Sequence, residues 1–456
     1  MSATAVNAGS RMDRLPLAKF HRRVLWLIGA GMFFDSFDIY LAGGVLGALL
    51  HSGWSDMGMN ATFISMTFVG MIIGSFVAGF LGDRFGRRFN FRFNLLLFGL
   101  ASLGAALSPS MQWLIGWRLI MGIGLAAEIV VGYATLTEFV PPAQRGRWGA
   151  LLSLITNSAV FFSTLLGYII VPTIGWRWMF GLVFAGSMIA WYFQRMLPES
   201  PRWLEAAGRL DEANRSLEAI EAEVAAETGA LPPVEAAPPA PATGEPVSVW
   251  ALFSPPVIRR TLIAMLMNIV VNSVIYGFVA WVPSFLVKQG LSVSASLGYT
   301  VFMSLGGPFG ALLGFLLSDR IGRKRGIVVV SLIAAVLGVA YACSPAPWLA
   351  TIIGFALFTC IYVLVAFVFA VYVPELFPTA YRLRGTGICV TVGRVSSVMM
   401  PYAVVALFAL GGVAAVLALL VGLLIVQAVA VGLAGIETNL RSLETLTPDR
   451  AAAARH

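Results

Sequence analysis

Leu81–Asn90 reads LGDRFGRRFN, and Leu317–Gly326 reads LSDRIGRKRG, so that Asp319 repeats Asp83. A second pair follows in the same order: TEFVPPAQRG at Thr137–Gly146 and PELFPTAYRLRG at Pro374–Gly385, in which Glu375 repeats Glu138. The two separations agree to within a single position. Two different motifs that recur together at one interval mark a duplicated unit, both copies running the same way. What each copy contains follows from the residues around the motifs.

Twelve apolar segments lie near residues 24–50, 61–81, 92–108, 112–137, 148–171, 177–197, 261–286, 296–317, 327–343, 348–373, 386–409 and 412–435. Each is long enough to cross a bilayer as a helix, and none alternates as the strands of an outer-membrane barrel do. The chain is 59% hydrophobic and 11% charged over 456 residues, with mean hydropathy +0.86, against about 25% charged residues in a soluble protein. The expected fold is an all-α membrane protein of twelve transmembrane helices in two six-helix bundles.

Of the 30 Lys and Arg, 26 fall in the two tails and every second loop. The positive-inside rule then puts both termini in the cytoplasm. The expected divisions are a cytoplasmic tail over residues 1–23, a bundle over 24–197, a cytoplasmic linker over 198–258, a second bundle over 259–435 and a cytoplasmic tail over 436–456. Residues 1–20 are basic and expected to be mobile. In the linker, Pro201–Glu227 has helical charge patterning, whereas Leu231–Pro246 is rich in Pro and Ala and reads as a flexible tether. The net charge of +8 is accounted for by loop asymmetry, so no nucleic-acid partner is expected. Cys343, Cys360 and Cys389 lack CxxC spacing and read as packing residues, not as a metal site or disulfide. The first apolar run is too long for a cleavable leader and stays as the first helix.

Five ionisable residues sit well inside these segments: Asp35, Asp38, Arg118, Glu128 and Arg394. Two of them belong to GMFFDSFDIYLAGG, Gly31–Gly44, where a carboxylate costs roughly 3 kcal/mol on insertion scales. Spacing of three residues sets both acids near one helix face. From a rise of about 1.5 Å per residue, Asp35 and Glu128 share a level, while Asp38 lies one turn further out within reach of Arg118. Glu128 suits either a second proton site or a structural pair. Arg394, the mid-depth charge of the second copy, could bind a substrate carboxylate or snorkel to the membrane edge.

These residues resemble the major facilitator superfamily over essentially the whole chain. G-D-R-x-G-R-R at Gly82–Arg88, E-x(6)-R-G at Glu138–Gly146 and PESPRWL at Pro198–Leu204 are similar to its sugar-porter-like branch. GIETNLRSLE at Gly435–Glu444 and the D-x-x-D of the first helix resemble that branch's metabolite and organic-acid proton symporters, which include nicotinate and aromatic-acid transporters. RLIMGIG at Arg118–Gly124 and SFDIYLAGG resemble segments of proton-coupled sugar porters, in which the first-helix acid takes up the proton and the fourth-helix Arg partners it. The resemblance implies those roles for Asp38 and Arg118; a fixed structural ion pair is the alternative. At the membrane edge, Asp83, Glu138, Asp319 and Glu375 can pair with Arg87, Arg145, Arg323 and Arg384 as a cytoplasmic gate. Ordinary basic loops turned by Gly82 and Gly86 would look the same.

Asn272 and Tyr276 match the Asn-x-x-x-Tyr of sugar porters, but Leu266 and Met267 replace the paired Gln that precede it there. A sugar's many hydroxyls need amide partners, so this departure disfavours one. What remains is aromatic, with a few amides: Phe37, Tyr40, Tyr133, Asn157, Asn268, Asn272, Tyr276, Trp281 and Tyr362. Of these Tyr40, Asn157, Asn268, Asn272 and Tyr276, with Arg394, are the expected substrate residues. The expectation is a monomeric, multi-pass inner-membrane transporter that takes up a small organic acid, nicotinate or another aromatic carboxylate, by proton symport with alternating access. The proton is the coupling ion and no cofactor or metal is expected. No ATP-hydrolysing motif or nucleophile and base pair accompanies the helices, which excludes an enzyme. A sugar:proton symporter, a proton-coupled exporter of drugs or metabolites and a non-transporting sensor are the alternatives.

Overall fold

The computed structural model describes residues 6–234, 252–344, 346–377 and 382–438. Within them the side chains of residues 78–80, 82–83, 127–131, 256, 318–319, 370 and 382–384 lie outside the description. Every regular element described is helical. The first copy holds α1 (Ala8–Asp13), α2 (Lys19–His51), α3 (Met57–Phe85), α4 (Arg87–Ala106), α5 (Met111–Phe139), α6 (Arg145–Thr173) and α7 (Arg177–Phe193), followed by α8 (Pro201–Ala206) and α9 (Leu210–Thr228). The second holds α10 (Pro255–Val274), α11 (Val282–Lys288), α12 (Val293–Ser304), α13 (Gly306–Ile321), α14 (Arg323–Ala342), α15 (Pro347–Val365), α16 (Val373–Glu375) and α17 (Arg382–Ala434).

Six spans of the first copy are α2 to α7. In the second, α10 runs through a π-helical turn, Ile275–Val279, toward α11, and α15 runs through another, Ala366–Tyr372, into α16. α12 and α13 follow one another as one span, with Leu305 between them. α17 is 53 residues long, about twice what a bilayer needs, and turns back at Gly411 and Gly412. Gly412 has φ +62°, open to a residue without Cβ. These segments are the twelve transmembrane helices expected.

Glycine decides how closely some of them approach. A Cβ at Gly70, Gly74 or Gly122 would overlap a backbone carbonyl of the facing helix, so α3 and α5 meet backbone to backbone. Gly306 and Gly310 of α13 play the same part against α15. Each pair is a G-x-x-x-G separation, and the second follows the first at the interval that carries Asp83 to Asp319.

The described residues gather into two compact units: those within Met1–Ile39, Met66–Ala159 and Ile174–Thr243 form the first, and those within Tyr40–Ser65, Val160–Thr173 and Gly244–His456 the second. The division passes through α2, α3 and α6, of which residues 40–51, 57–65 and 160–173 belong to the second unit. There they are held by close packing and polar contacts. A Cβ on Gly43 would sit 3.1 Å from the Ala280 carbonyl oxygen. Thr164 and Ser304 share a hydrogen bond of 2.6 Å, and Ser65 Oγ donates to the Val398 carbonyl at 2.7 Å.

In the first unit the N-terminal segment from residue 6 onward, expected to be mobile, is docked. The backbone N–H groups of Asn7 and Ala8 donate to the Glu205 carboxylate at 2.8 and 2.9 Å. Arg11 and Arg14 each reach Glu221 at 2.7 Å, and Asp13 bridges Arg145 and Arg202 at 2.9 and 2.6 Å. Beneath these pairs Met12, Leu15 and Phe20 are buried with Leu217, Ile220 and Val224, the three- and four-residue spacing of one face of α9. Full burial of each large side chain stabilises by about 1.5–3 kcal/mol, which outweighs a screened ion pair of under about 1 kcal/mol. Pro201–Glu227 is helical as expected, while residues 235–246 of the tether lie outside the description.

Candidate functional site

In the first unit two of the intramembrane charges meet. Arg118 Nη1 donates to Asp38 Oδ2 at 2.5 Å, and its Nε donates to Thr67 Oγ1 at 3.0 Å. Asp38 is 0% and Arg118 1% exposed. The glycine seam explains the Thr67 contact: only where α3 and α5 touch can a side chain of α5 engage a hydroxyl of α3 so tightly. Asp35, one turn along α2, is also fully buried. The side chain of Glu128, expected at its level, lies outside those described. A carboxylate with a single guanidinium partner away from water is a site where withdrawal of the partner favours proton uptake and its return favours release.

The second unit assembles a different set. The Tyr40 and Tyr362 rings lie 6.3 Å apart, and Tyr276, in the π-helical turn, is close enough to both Tyr40 and Arg394 to interact with them electrostatically. Tyr40 and Tyr276 occupy one register position of the two copies, separated just as Asp83 and Asp319 are. Asn272 Nδ2 donates to the Asn268 carbonyl at 2.8 Å, and Ser397 Oγ donates to Asn272 Oδ1 at 3.3 Å. Gly393 makes room, since a Cβ there would stand 2.7 Å from Asn272 Nδ2. Asn268 is fully buried and its Oδ1 has no partner among the described residues. Tyr40, Asn272, Tyr276 and Arg394 each keep part of their surface accessible. Cation, phenols and amides together can hold a planar anion: charge for a carboxylate, rings for its flat faces. Asn157 belongs to the first unit, where its Nδ2 donates to the Ser153 carbonyl at 2.8 Å.

The two edge motifs are built alike. Arg87 pairs with Glu138 at 3.4 Å, and Arg323 with Glu375 at 3.4 Å. Arg145 takes as its carboxylate partner Asp13, which is not one of the four edge acids. Asp83, Asp319 and Arg384 have side chains outside those described. Two acids were missed. Glu199 accepts from the N–H groups of Arg87 and Arg88 at the start of α4, at 2.9 and 3.3 Å, and Glu437 accepts from the N–H of Arg323 at the start of α14 at 2.9 Å. Both cap a helix N-terminus after a glycine of positive φ, +95° at Gly86 and +87° at Gly322. Burial pushes the Glu199 carboxyl up from the ordinary Glu value against the pull of those N–H groups. Their signal was present: PES and IET, each carrying its Glu before a hydroxyl residue, recur at close to the interval of the edge motifs. Among the described residues no group of three His, Cys, Asp or Glu could hold a metal ion.

Comparison with known proteins places this geometry. A model of the Major Facilitator Superfamily matches residues 28–401. The inner membrane metabolite transport protein YdjE of Escherichia coli is 38% identical over 96% of this chain and 98% of its own length. The niacin transporter NiaP of Acinetobacter baylyi is 30% identical over 96% of this chain and 99% of its own. Among solved structures, the xylose transporter XylE of E. coli in a partially occluded inward-open conformation aligns with TM-score 0.74 and 16% identity, covering 93% of this chain and 100% of that one; at that identity the likeness is one of fold.

Proposed function

The chain belongs to the Major Facilitator Superfamily and is a membrane transporter of metabolites, not an enzyme; from that premise we propose that it takes up a small aromatic carboxylate, nicotinate or a close relative, together with protons. The observation that carries the substrate is Arg394 beside Tyr276, with Tyr40 and Tyr362 adjoining, in the second unit. Arg394 pairs with the carboxylate, the three phenols flank the ring, and Asn272 meets a ring nitrogen or the second carboxylate oxygen. The name of the niacin transporter among its relatives supports this choice.

Proton coupling falls to Asp38 and Arg118. While the 2.5 Å contact holds, the Arg118 guanidinium favours the ionised form of Asp38; a conformational change that withdraws Arg118 leaves a buried carboxyl group that takes a proton to avoid standing charged in a medium of low dielectric constant. Asp35 and Glu128 are the candidates for a second proton. The Arg87–Glu138 and Arg323–Glu375 pairs form a gate on the cytoplasmic side of the inner membrane, with both termini on that side. The protein works as a monomer.

Proteoliposomes carrying a pH gradient, acid outside, test the proposal. Labelled nicotinate is expected to accumulate, the accumulation to collapse with a protonophore, and glucose and xylose to leave it unaffected. Competition by either sugar at sub-millimolar concentration overturns the substrate, and accumulation indifferent to the gradient overturns the coupling.

A further inference from the structure

The transport cycle leaves unused a group of arginines in the first unit where α4 meets the end of α7. Arg88 and Arg92 lie one turn apart on α4; Trp191 and Arg195 lie one turn apart at and just past the end of α7. The Arg92 guanidinium sits 5.1 Å from the Trp191 ring centre and that of Arg195 3.7 Å from Tyr192. Arg88 Nη2 donates to the main-chain carbonyl of Arg195 at 2.9 Å, fastening the two helix ends together. The Nε atoms of Arg88 and Arg92 are buried and find no acceptor among the described residues. Glu199, the acid at the start of α4, is engaged by the N–H groups of Arg87, Arg88 and Ser200.

Three guanidinium groups gathered at one pair of helix ends repel one another and suit an anion. The stripe beside them says which kind. Phe85, the last residue of α3, and Phe89 and Phe93 of α4 are exposed and in contact, with successive ring centres 5.0 and 6.1 Å apart. On a helix that spans a bilayer this is a lipid-facing surface, and it begins beside the cations. A soluble phosphate would use the arginines and leave the rings without purpose.

We propose that Arg88, Arg92 and Arg195 bind the phosphate of an anionic phospholipid whose acyl chains lie along Phe85, Phe89 and Phe93. Trp191 and Tyr192 hold two of the guanidinium planes in place, which lowers the entropy lost on binding. The site is independent of the transported substrate.

The test uses the full-length protein purified in detergent, with native mass spectrometry to count retained lipid and thermal unfolding to measure stabilisation. Phosphatidylglycerol is expected to be retained and to raise the melting temperature, whereas phosphatidylcholine and inorganic phosphate are not. At a factor of about five per basic residue, the combined Arg88→Gln, Arg92→Gln and Arg195→Gln variant is expected to bind phosphatidylglycerol on the order of a hundredfold more weakly. Should the triple variant not fold, Arg92→Gln alone is read for a loss of about fivefold. Equal retention of phosphatidylglycerol by wild type and variant overturns the site. Equal retention of phosphatidylcholine overturns the headgroup, and stabilisation by inorganic phosphate alone overturns the lipid.

Discussion

Asp38 in α2 and Val274 in α10 are the same position of the repeat, and so are Thr67 and Met303, and Arg118 and Gly354, each pair set apart as Asp83 is from Asp319. In the first copy the three positions make a buried ion pair with a hydroxyl against it. In the second, a Cβ on Gly354 would lie 2.6 Å from the Met303 sulfur, so a thioether occupies the space that a guanidinium fills in its counterpart. The glycine seam around the site is the same in both: Gly70 and Gly74 answer Gly306 and Gly310. Packing is therefore common property of the two copies, and the buried ion pair is not. A seam of small residues is what two apolar helices need in order to meet; a buried acid costs energy wherever it stands and is kept where it acts.

The largest test removes the charge from the first copy. Asp38→Asn is expected to abolish gradient-driven accumulation while exchange of labelled for unlabelled ligand continues, measured as uphill uptake against counterflow in one proteoliposome preparation. Undiminished accumulation would make the two copies equivalent after all. Arg118→Leu, which leaves Asp38 buried without its partner, is expected to lower stability by about 3–5 kcal/mol. Chemical unfolding of the purified variant measures this, and a loss below about 1 kcal/mol would mean water reaches the site. The shared scaffold has its own test: Gly74→Val and Gly310→Val should each cost about 1–3 kcal/mol or more, and to a similar extent, because each drives a side chain into facing backbone. A large difference between the two would sharpen the contrast by extending it to packing.

Arg394→Gln bears on the second unit. It is expected to weaken carboxylate binding by roughly 10- to 100-fold, the range for a hydrogen bond to a charged group, with no such change for an uncharged amide analogue. Calorimetry with the acid and its amide decides, and unchanged affinity for the acid removes Arg394 from the site. The smallest effect is at the docked N-terminus. Burial works to raise the Glu221 carboxyl, but the hydrogen bonds and charges of Arg11 and Arg14 together carry it below the ordinary value of 4.5. Its contribution is thus present above the ordinary value and lost as pH falls through the lowered one. Hydrogen exchange of residues 6–18 should stay slow at neutral pH and quicken in acid below that value; Glu221→Gln should remove the acid dependence.

The constant interval between the copies made the fold legible, because membrane helices are long, apolar and separated by short charged loops. It could have shown more than was read from it. Gly70 and Gly74 were lost among 47 glycines, although the same interval points from them to Gly306 and Gly310. Tyr40 and Tyr276 were chosen as separate candidates when they are one position seen twice. Asp38 and Arg118 were legible because buried opposite charges at matching depth have few alternatives. Asp13 was not: its partners Arg145 and Arg202 lie 132 and 189 residues away, and nothing local announces a contact across that distance. The division through α2, α3 and α6 was equally hidden, since an apolar helix carries no mark of which neighbours each of its ends will touch.

One trace remained in the arithmetic. Glu375 follows Glu138 at an interval longer by a single position than that from Asp83 to Asp319, so the second copy carries one more residue before Glu375 than the first does before Glu138. The helix leading to Glu375 is the one that widens into a π turn at Ala366–Tyr372, the form a helix takes to house a surplus residue without breaking. Such a turn behaves like a dislocation in a crystal. Hydrogen bonds exchanged one peptide at a time let it glide along the helix, and each step turns the residue it passes by about 100° and advances it by about 1.5 Å. The additional residue thus gives this helix a turn of that kind, which the uninterrupted α5 of the first copy lacks.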